Sequence, residues 1–152
     1  MGVVFDQVVR FKKKYPLTIG WRLRQNSLVV EKHLNPGEKA IYSFIAQKND
    51  NPFNIVGSAV VTLTNKRILI GRKRVIFGYF LNSITPDMYN DLKVTGGIIW
   101  GKVGIDTIKE FVILSDISND ALPEIETEIS AYMMEIKKKY HGKQDDSEES
   151  ND

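Results

Sequence analysis

A succession of seven short apolar and β-branched segments between residues 40 and 114 is the strongest constraint on how this chain can fold. Ala40–Lys48, Ile55–Thr64, Arg67–Gly71, Val75–Leu81, Met88–Thr95, Ile99–Thr107 and Ile108–Leu114 follow one another at close spacing, and turn-forming residues separate them. Segments of that length favour strands over helices, and so many in a row describe an antiparallel barrel or sandwich. The punctuation has a mechanism at each point: Asn49-Asp50-Asn51-Pro52, Asn65-Lys66, Thr85-Pro86-Asp87 and Gly96-Gly97 are all turn-forming combinations. Arg72-Lys73-Arg74 separates the third segment from the fourth. In the sixth, Ile99, Gly101, Val103 and Ile105 alternate with Lys102, Gly104 and Asp106, which is the two-residue period of a strand.

The periodicity changes after Ser118. Leu122, Ile125, Ile129, Tyr132, Met133, Ile136 and Tyr140 recur at three- and four-residue steps and predict a helix with a wide apolar stripe. Asn119 or Asp120 is the expected cap, and Pro123 suits a first turn. Glu124, Glu126 and Glu128 near the start and Lys137–Lys139 near the end match the helix dipole, and Gly142 is the expected stop. The acidic stretch after it, without apolar side chains, is expected to be disordered. At the other end, Gly2–Tyr15 predicts a short amphipathic helix closed by Pro16, and a second helical pattern runs from Leu17 to Leu34. Asn35-Pro36-Gly37 turns the chain into the strands. The expected organisation is a helical extension over 1–34, a β domain with its helix over 35–141, and an acidic tail over 142–152.

Two short motifs carry a family resemblance. Leu34-Asn35-Pro36-Gly37-Glu38 resembles the L-x-P-G-E lead into the first strand of bacterial pleckstrin-homology-like (PH-like) domains. Thr62-Leu63-Thr64-Asn65-Lys66-Arg67-Ile68 is similar to their turn between the second and third strands. The nearest likeness is to the YokE-like group, over about residues 34–140. It implies a mainly β fold with α elements: a seven-stranded antiparallel β-barrel or sandwich capped by a C-terminal α-helix, here preceded by the N-terminal helical extension. Read locally, Asn65 is expected to take the positive φ of a hairpin turn and Arg67 to cover a strand edge.

The chain has no cysteine, which removes disulfides, thiolate nucleophiles and cysteine metal sites, and suits a reducing cytoplasm. Its apolar runs are strand-length and its N-terminus lacks the unbroken apolar stretch of a signal peptide. The expected location is cytoplasmic, with peripheral membrane attachment as an option. His33 and His141, the two histidines, lie in no ligand-like pattern. Gly96, Gly97, Gly101 and Gly104 lack the helix and lysine of a phosphate loop, and Asp87, Asp91 and Asp106 form no acid–base pair in sequence. No enzymatic activity, cofactor, metal or small-molecule substrate is expected.

A binding role remains, and the charge pattern guides it. The net charge of +2 divides into +5 over residues 1–36, +4 over 37–115 and −7 over 116–152. One reading is an interaction module for a protein partner or for assembly into a homo-oligomer, because two amphipathic segments outside the barrel need somewhere to place their apolar faces. The alternative is an anionic membrane surface. In lipid-binding members of the wider fold, cations of the first loop and of the loop between strands three and four meet at the open end of the barrel. Carried to this chain by resemblance, these positions are Lys48 with Arg72, Lys73 and Arg74, and Phe53 is a candidate to insert. Lys12, Lys13 and Lys14 beside an apolar helical face offer a second interfacial route. A lower alternative is nucleic acid, stacking on Tyr79, Phe80 and Trp100; the acidic tail opposes it.

Overall fold

The computed structural model describes residues 2–48 and 57–149, the side chains of 140–149 excepted. In chain order the elements are α1 (Val3–Lys14), α2 (Leu23–Lys32), β1 (Ala40–Lys48), β2 (Ser58–Thr64), β3 (Ile68–Lys73), β4 (Tyr79–Ile84), β5 (Tyr89–Thr95), β6 (Trp100–Thr107), β7 (Phe111–Ser118), a 3-10 turn at Asn119–Ala121, and α3 (Leu122–Glu149). The strands form one antiparallel sheet in the order β4-β3-β2-β1-β7-β6-β5. Among the described residues β1 and β7 pair through Gln47–Ser115 and Lys48–Leu114, and there the sheet divides into two leaves. β4 and β5 stand at the edges, so the body is a curled half-barrel. The expected seven strands, closing helix and N-terminal helical part are all present.

Alternation along β1 shows how the layers stack. Tyr42 faces α3, where its hydroxyl donates to Glu124 (2.8 Å). Ser43 and Gln47 point the other way: Ser43 bonds to Gln7 of α1, and Gln47 donates to the Ile19 carbonyl. Every residue of β2 is buried, as a strand covered on both faces must be. Leu122, Ile125, Ile129, Tyr132, Met133 and Ile136 of α3 share a core with Phe44, Leu63 and Ile68, and Val4, Val8, Phe11 and Val30 of the helical extension belong to the same cluster. The helical extension is therefore packed on the sheet, α1 against β1 and α2 against β2 and β3. Glu31 of α2 caps α1, its carboxylate accepting from the N–H groups of Val4 (2.9 Å) and Phe5 (3.2 Å).

Several boundaries differ from the sequence reading. The fourth segment, Val75–Leu81, straddles a turn: Gly78 has φ +77, Arg74 N–H donates to its carbonyl, and β4 begins at Tyr79. Val75, Ile76 and Phe77 are thus a hairpin tip. The seventh begins at Phe111 instead of Ile108, because the Thr107 hydroxyl accepts from the N–H groups of Lys109 and Glu110 and holds them in the turn. Leu17–Arg22 is not helical; Ile19 N–H donates to the Asp116 carbonyl, and Ser118 N–H to the Thr18 hydroxyl. Asp116 is one of two non-glycine residues with positive φ among the described residues, at a register shift of the β6–β7 ladder, and this bulge turns its carbonyl to the passing strap.

Asn119 does not cap α3 with its side chain, which instead bridges Gly97 N–H and C=O. The helix also passes Gly142 and continues to Glu149, so the tail expected to be disordered is helical over 142–149. One glycine costs a helix only about 1 kcal/mol, and no proline follows to end it. Phe53, the Asn49–Pro52 turn and residues 150–152 lie outside the described residues.

Candidate binding surface

The two motifs of the sequence meet in space. The Glu38 side chain is fully buried and accepts from Asn35 N–H (3.1 Å), the Thr64 hydroxyl (2.7 Å), and Arg67 Nε and Nη2 (both 3.0 Å). Arg67 also donates to the His33 carbonyl and to Ser83. Arg67, itself half-buried, is therefore a structural cation that ties strands to the helical extension, not a cover on a strand edge. Burial alone would raise the Glu38 carboxyl, but the donors from Arg67, Thr64 and Asn35 outweigh it and hold it below the ordinary range. Asn65 does not take a positive φ either. Its side chain accepts from Lys39 N–H (2.7 Å) and donates to the Gly37 carbonyl (3.1 Å), stapling one motif to the other.

The β3–β4 ribbon carries the exposed surface. β2 and β3 stop pairing at Val60–Gly71, whereas β3 and β4 pair on through Arg72–Phe80 to Lys73–Tyr79. The ribbon thus projects beyond the sheet. Val75, Ile76 and Phe77 at its tip are 63%, 79% and 81% exposed. Behind them, the Arg72 and Arg74 guanidinium groups lie 4.6 Å and 4.9 Å from the centre of the Phe80 ring, a cation–π pairing that holds both charges on one face. On the other face, Tyr79 packs its ring 4.6 Å from His33 of the helical extension. Between Asp50 and Asp87 the sequence contains no acidic residue. The tip is therefore apolar, its stem cationic, and its root fastened to the body.

The other candidate cations divide. Lys48 ends β1 at the end of the sheet where β2 starts and β3 stops, so it shares that end with Arg72, Lys73 and Arg74. Lys13 is exposed on α1. Lys12 folds back to donate to the Pro16 and Thr18 carbonyls, and burial lowers its pKa. Lys14 pairs with Glu124 of α3. The apolar face of α1, which an interfacial helix would give to lipid, is buried through Val4, Val8 and Phe11. Trp100 lies on β6 opposite Ser118, with its Nε1 donating to the Leu17 carbonyl, so it does not join Tyr79 and Phe80 in one stacking platform.

A cleft of about 130 Å³ between α1, β1 and α3 is lined by Gln7, Arg10, Phe11, Lys14, Tyr42 and Glu124 among others. That volume is well below the usual size of a ligand pocket, and Lys14, Tyr42 and Glu124 of its lining are hydrogen-bonded to one another. Among the described residues, no group of three or more His, Asp or Glu is arranged to hold a metal ion, and no helix is long and apolar enough to cross a membrane.

The fold, the Glu38–Arg67 join between the motifs and the closing helix define a PH-type domain. Residues 34–131 match the family model of the bacterial PH domain, which covers most of the chain, and the protein belongs to that family. The match starts at Leu34 and leaves the helical extension outside it. No curated protein matches the chain.

Proposed function

We propose that this protein is a non-catalytic binding module that docks on an anionic membrane surface through the β3–β4 hairpin. The observation that carries the reading is the exposed Val75-Ile76-Phe77 tip mounted on Arg72, Lys73 and Arg74. Burying a Val, Ile or Phe side chain is worth about 1.5–3 kcal/mol, and each cation near an anionic leaflet adds about 1 kcal/mol. The costs of immobilisation reduce that sum. The expected result is reversible, salt-sensitive attachment in which tip and stem are both required. Lys48 lies at the same end of the sheet and adds to the field there.

Co-sedimentation with vesicles of phosphatidylglycerol and phosphatidylcholine, against phosphatidylcholine alone, tests this. Binding should need the anionic lipid and weaken steeply with salt. Either Val75/Ile76/Phe77→Ser or Arg72/Lys73/Arg74→Ser should abolish it. Absence of co-sedimentation at low salt sinks the proposal.

A second reading, contact with a protein partner or with another copy of the chain, draws on the edge strands β4 and β5. Unpaired strand edges are templates for pairing. Light scattering over a range of concentrations tests the homo-oligomer form, and a strict monomer removes it.

A further inference from the structure

We propose that Asn26 of α2 is the positioning residue of the hairpin: its carboxamide replaces one rung of the β2–β3 ladder and sets the Arg72–Phe80 ribbon off from the sheet. This rests on the reading of that ribbon as the binding element. The register that pairs Val60 with Gly71 would place Ser58 opposite Lys73. Hydrogen-bonded pairs alternate along an antiparallel ladder. Thr64 N–H donates to the Arg67 carbonyl, so stepping by two residues makes Ser58 and Lys73 such a pair.

The expected direct bond is replaced. Lys73 N–H donates to Asn26 Oδ1 (2.8 Å), and Asn26 Nδ2 donates to the Ser58 carbonyl (3.1 Å). The side-chain amide has one acceptor and a donor in the geometry of a peptide group, so it satisfies both strands while keeping them apart. The remaining Lys73 backbone group is held as well: Arg22 Nη1 donates to the Lys73 carbonyl (3.1 Å). Arg22 itself sits at φ 56, in the left-handed region that disfavours a side chain. Asn26 is only 2% exposed and also reaches the Trp21 carbonyl, so its orientation is fixed from the strap that precedes α2.

The physical consequence is a ribbon with a defined direction. A two-stranded hairpin detached from its sheet would otherwise sample many orientations, and binding strength falls by the fraction of time spent in the competent one. Both Asn26 and Arg22 lie in the extension outside the family match, which gives that extension a role at the binding end of the domain.

The direct test uses the full-length protein labelled with 15N and 13C. A scalar coupling through the hydrogen bond from the Lys73 amide nitrogen to the Asn26 side-chain carbonyl carbon is expected; a coupling to the Ser58 carbonyl in its place overturns the proposal. The functional test is Asn26→Ala, with Asn26→Ser as a second variant that can keep one of the two bonds. Trypsin cleavage after Arg72, Lys73 and Arg74 should accelerate by about tenfold relative to cleavage elsewhere, since local opening governs proteolysis. A merely structural loss would raise cleavage at all sites together. Vesicle binding should weaken by a similar factor, with Asn26→Ser intermediate. Folded variants with unchanged cleavage at these sites and unchanged vesicle binding overturn the proposal. If the unmodified protein does not bind the vesicles, the membrane reading fails instead, and coupling and cleavage still decide the role of Asn26.

Discussion

Replacing Arg67 with methionine keeps most of its volume and removes the partner of a carboxylate that has no access to solvent. Glu38 would keep Asn35 N–H and the Thr64 hydroxyl but lose both guanidinium donors, and the His33 carbonyl and Ser83 would each lose a partner. Breaking a buried ion pair from one side typically costs about 3–5 kcal/mol, a large share of the roughly 5–15 kcal/mol that holds a domain folded. At about 2–4 °C per kcal/mol for a chain of this size, Tm should fall by roughly 10 °C. The dependence on pH supplies the sign. In the unmodified protein the Glu38 pKa is depressed, so its contribution is complete above the unfolded carboxyl value and fades as pH drops through the folded one. In the variant, burial is no longer outweighed and the folded pKa rises, so the penalty is relieved by protonation. The Tm gap between the two proteins should therefore narrow as pH falls from about 7 to about 5, toward the ordinary carboxylate range. Adding Glu38→Gln should recover part of the loss. Circular dichroism melts at three pH values measure this. A gap at neutral pH under about 2 °C, or one that widens on acidification, refutes the reasoning.

Three further outcomes are expected. Asn65→Gly should cost about 1–2 kcal/mol in urea unfolding, because two hydrogen bonds are lost and there is no positive φ for glycine to relieve; a stabilised variant contradicts the geometry. Gly71→Ala would bring its Cβ to 2.7 Å from Val30 Cγ2, so overpacking between β3 and α2 should cost about 1–3 kcal/mol on the same assay. Deleting residues 2–33 removes the buried side chains of Val4, Val8, Phe11, Val29 and Val30. At about 1.5–3 kcal/mol each, that loss rivals the whole stability of a domain, and the product should bind a hydrophobic dye and lack a cooperative melt.

The legible part of this protein was what repeats locally. The strand series and the α3 stripe follow from periods that any one segment contains, and β1 was placed at Ala40–Lys48 on pattern alone. Val75–Phe77 shows the limit: an apolar run looks the same inside a strand and across a hairpin tip until Gly78 takes its positive φ. The candidate cations show another limit. Arg72, Lys73 and Arg74 were singled out by the family resemblance, but nothing local distinguishes Lys13 from Lys12 and Lys14, which bond to carbonyls and to Glu124.

By itself, then, the sequence determined that a seven-stranded body with a closing helix would form; the three cations it set between the third and fourth segments lie instead along the ribbon, Arg72 and Lys73 within β3. The tertiary structure decided which polar residues meet. Glu38 joins Arg67 29 positions away, and Asn26 joins Lys73 at a separation of 47. Such bonds depend on where whole elements dock. Two segments carry no shared periodicity that announces a hydrogen bond between them, and only packing α2 on the sheet brings an asparagine to the gap where the hairpin leaves it.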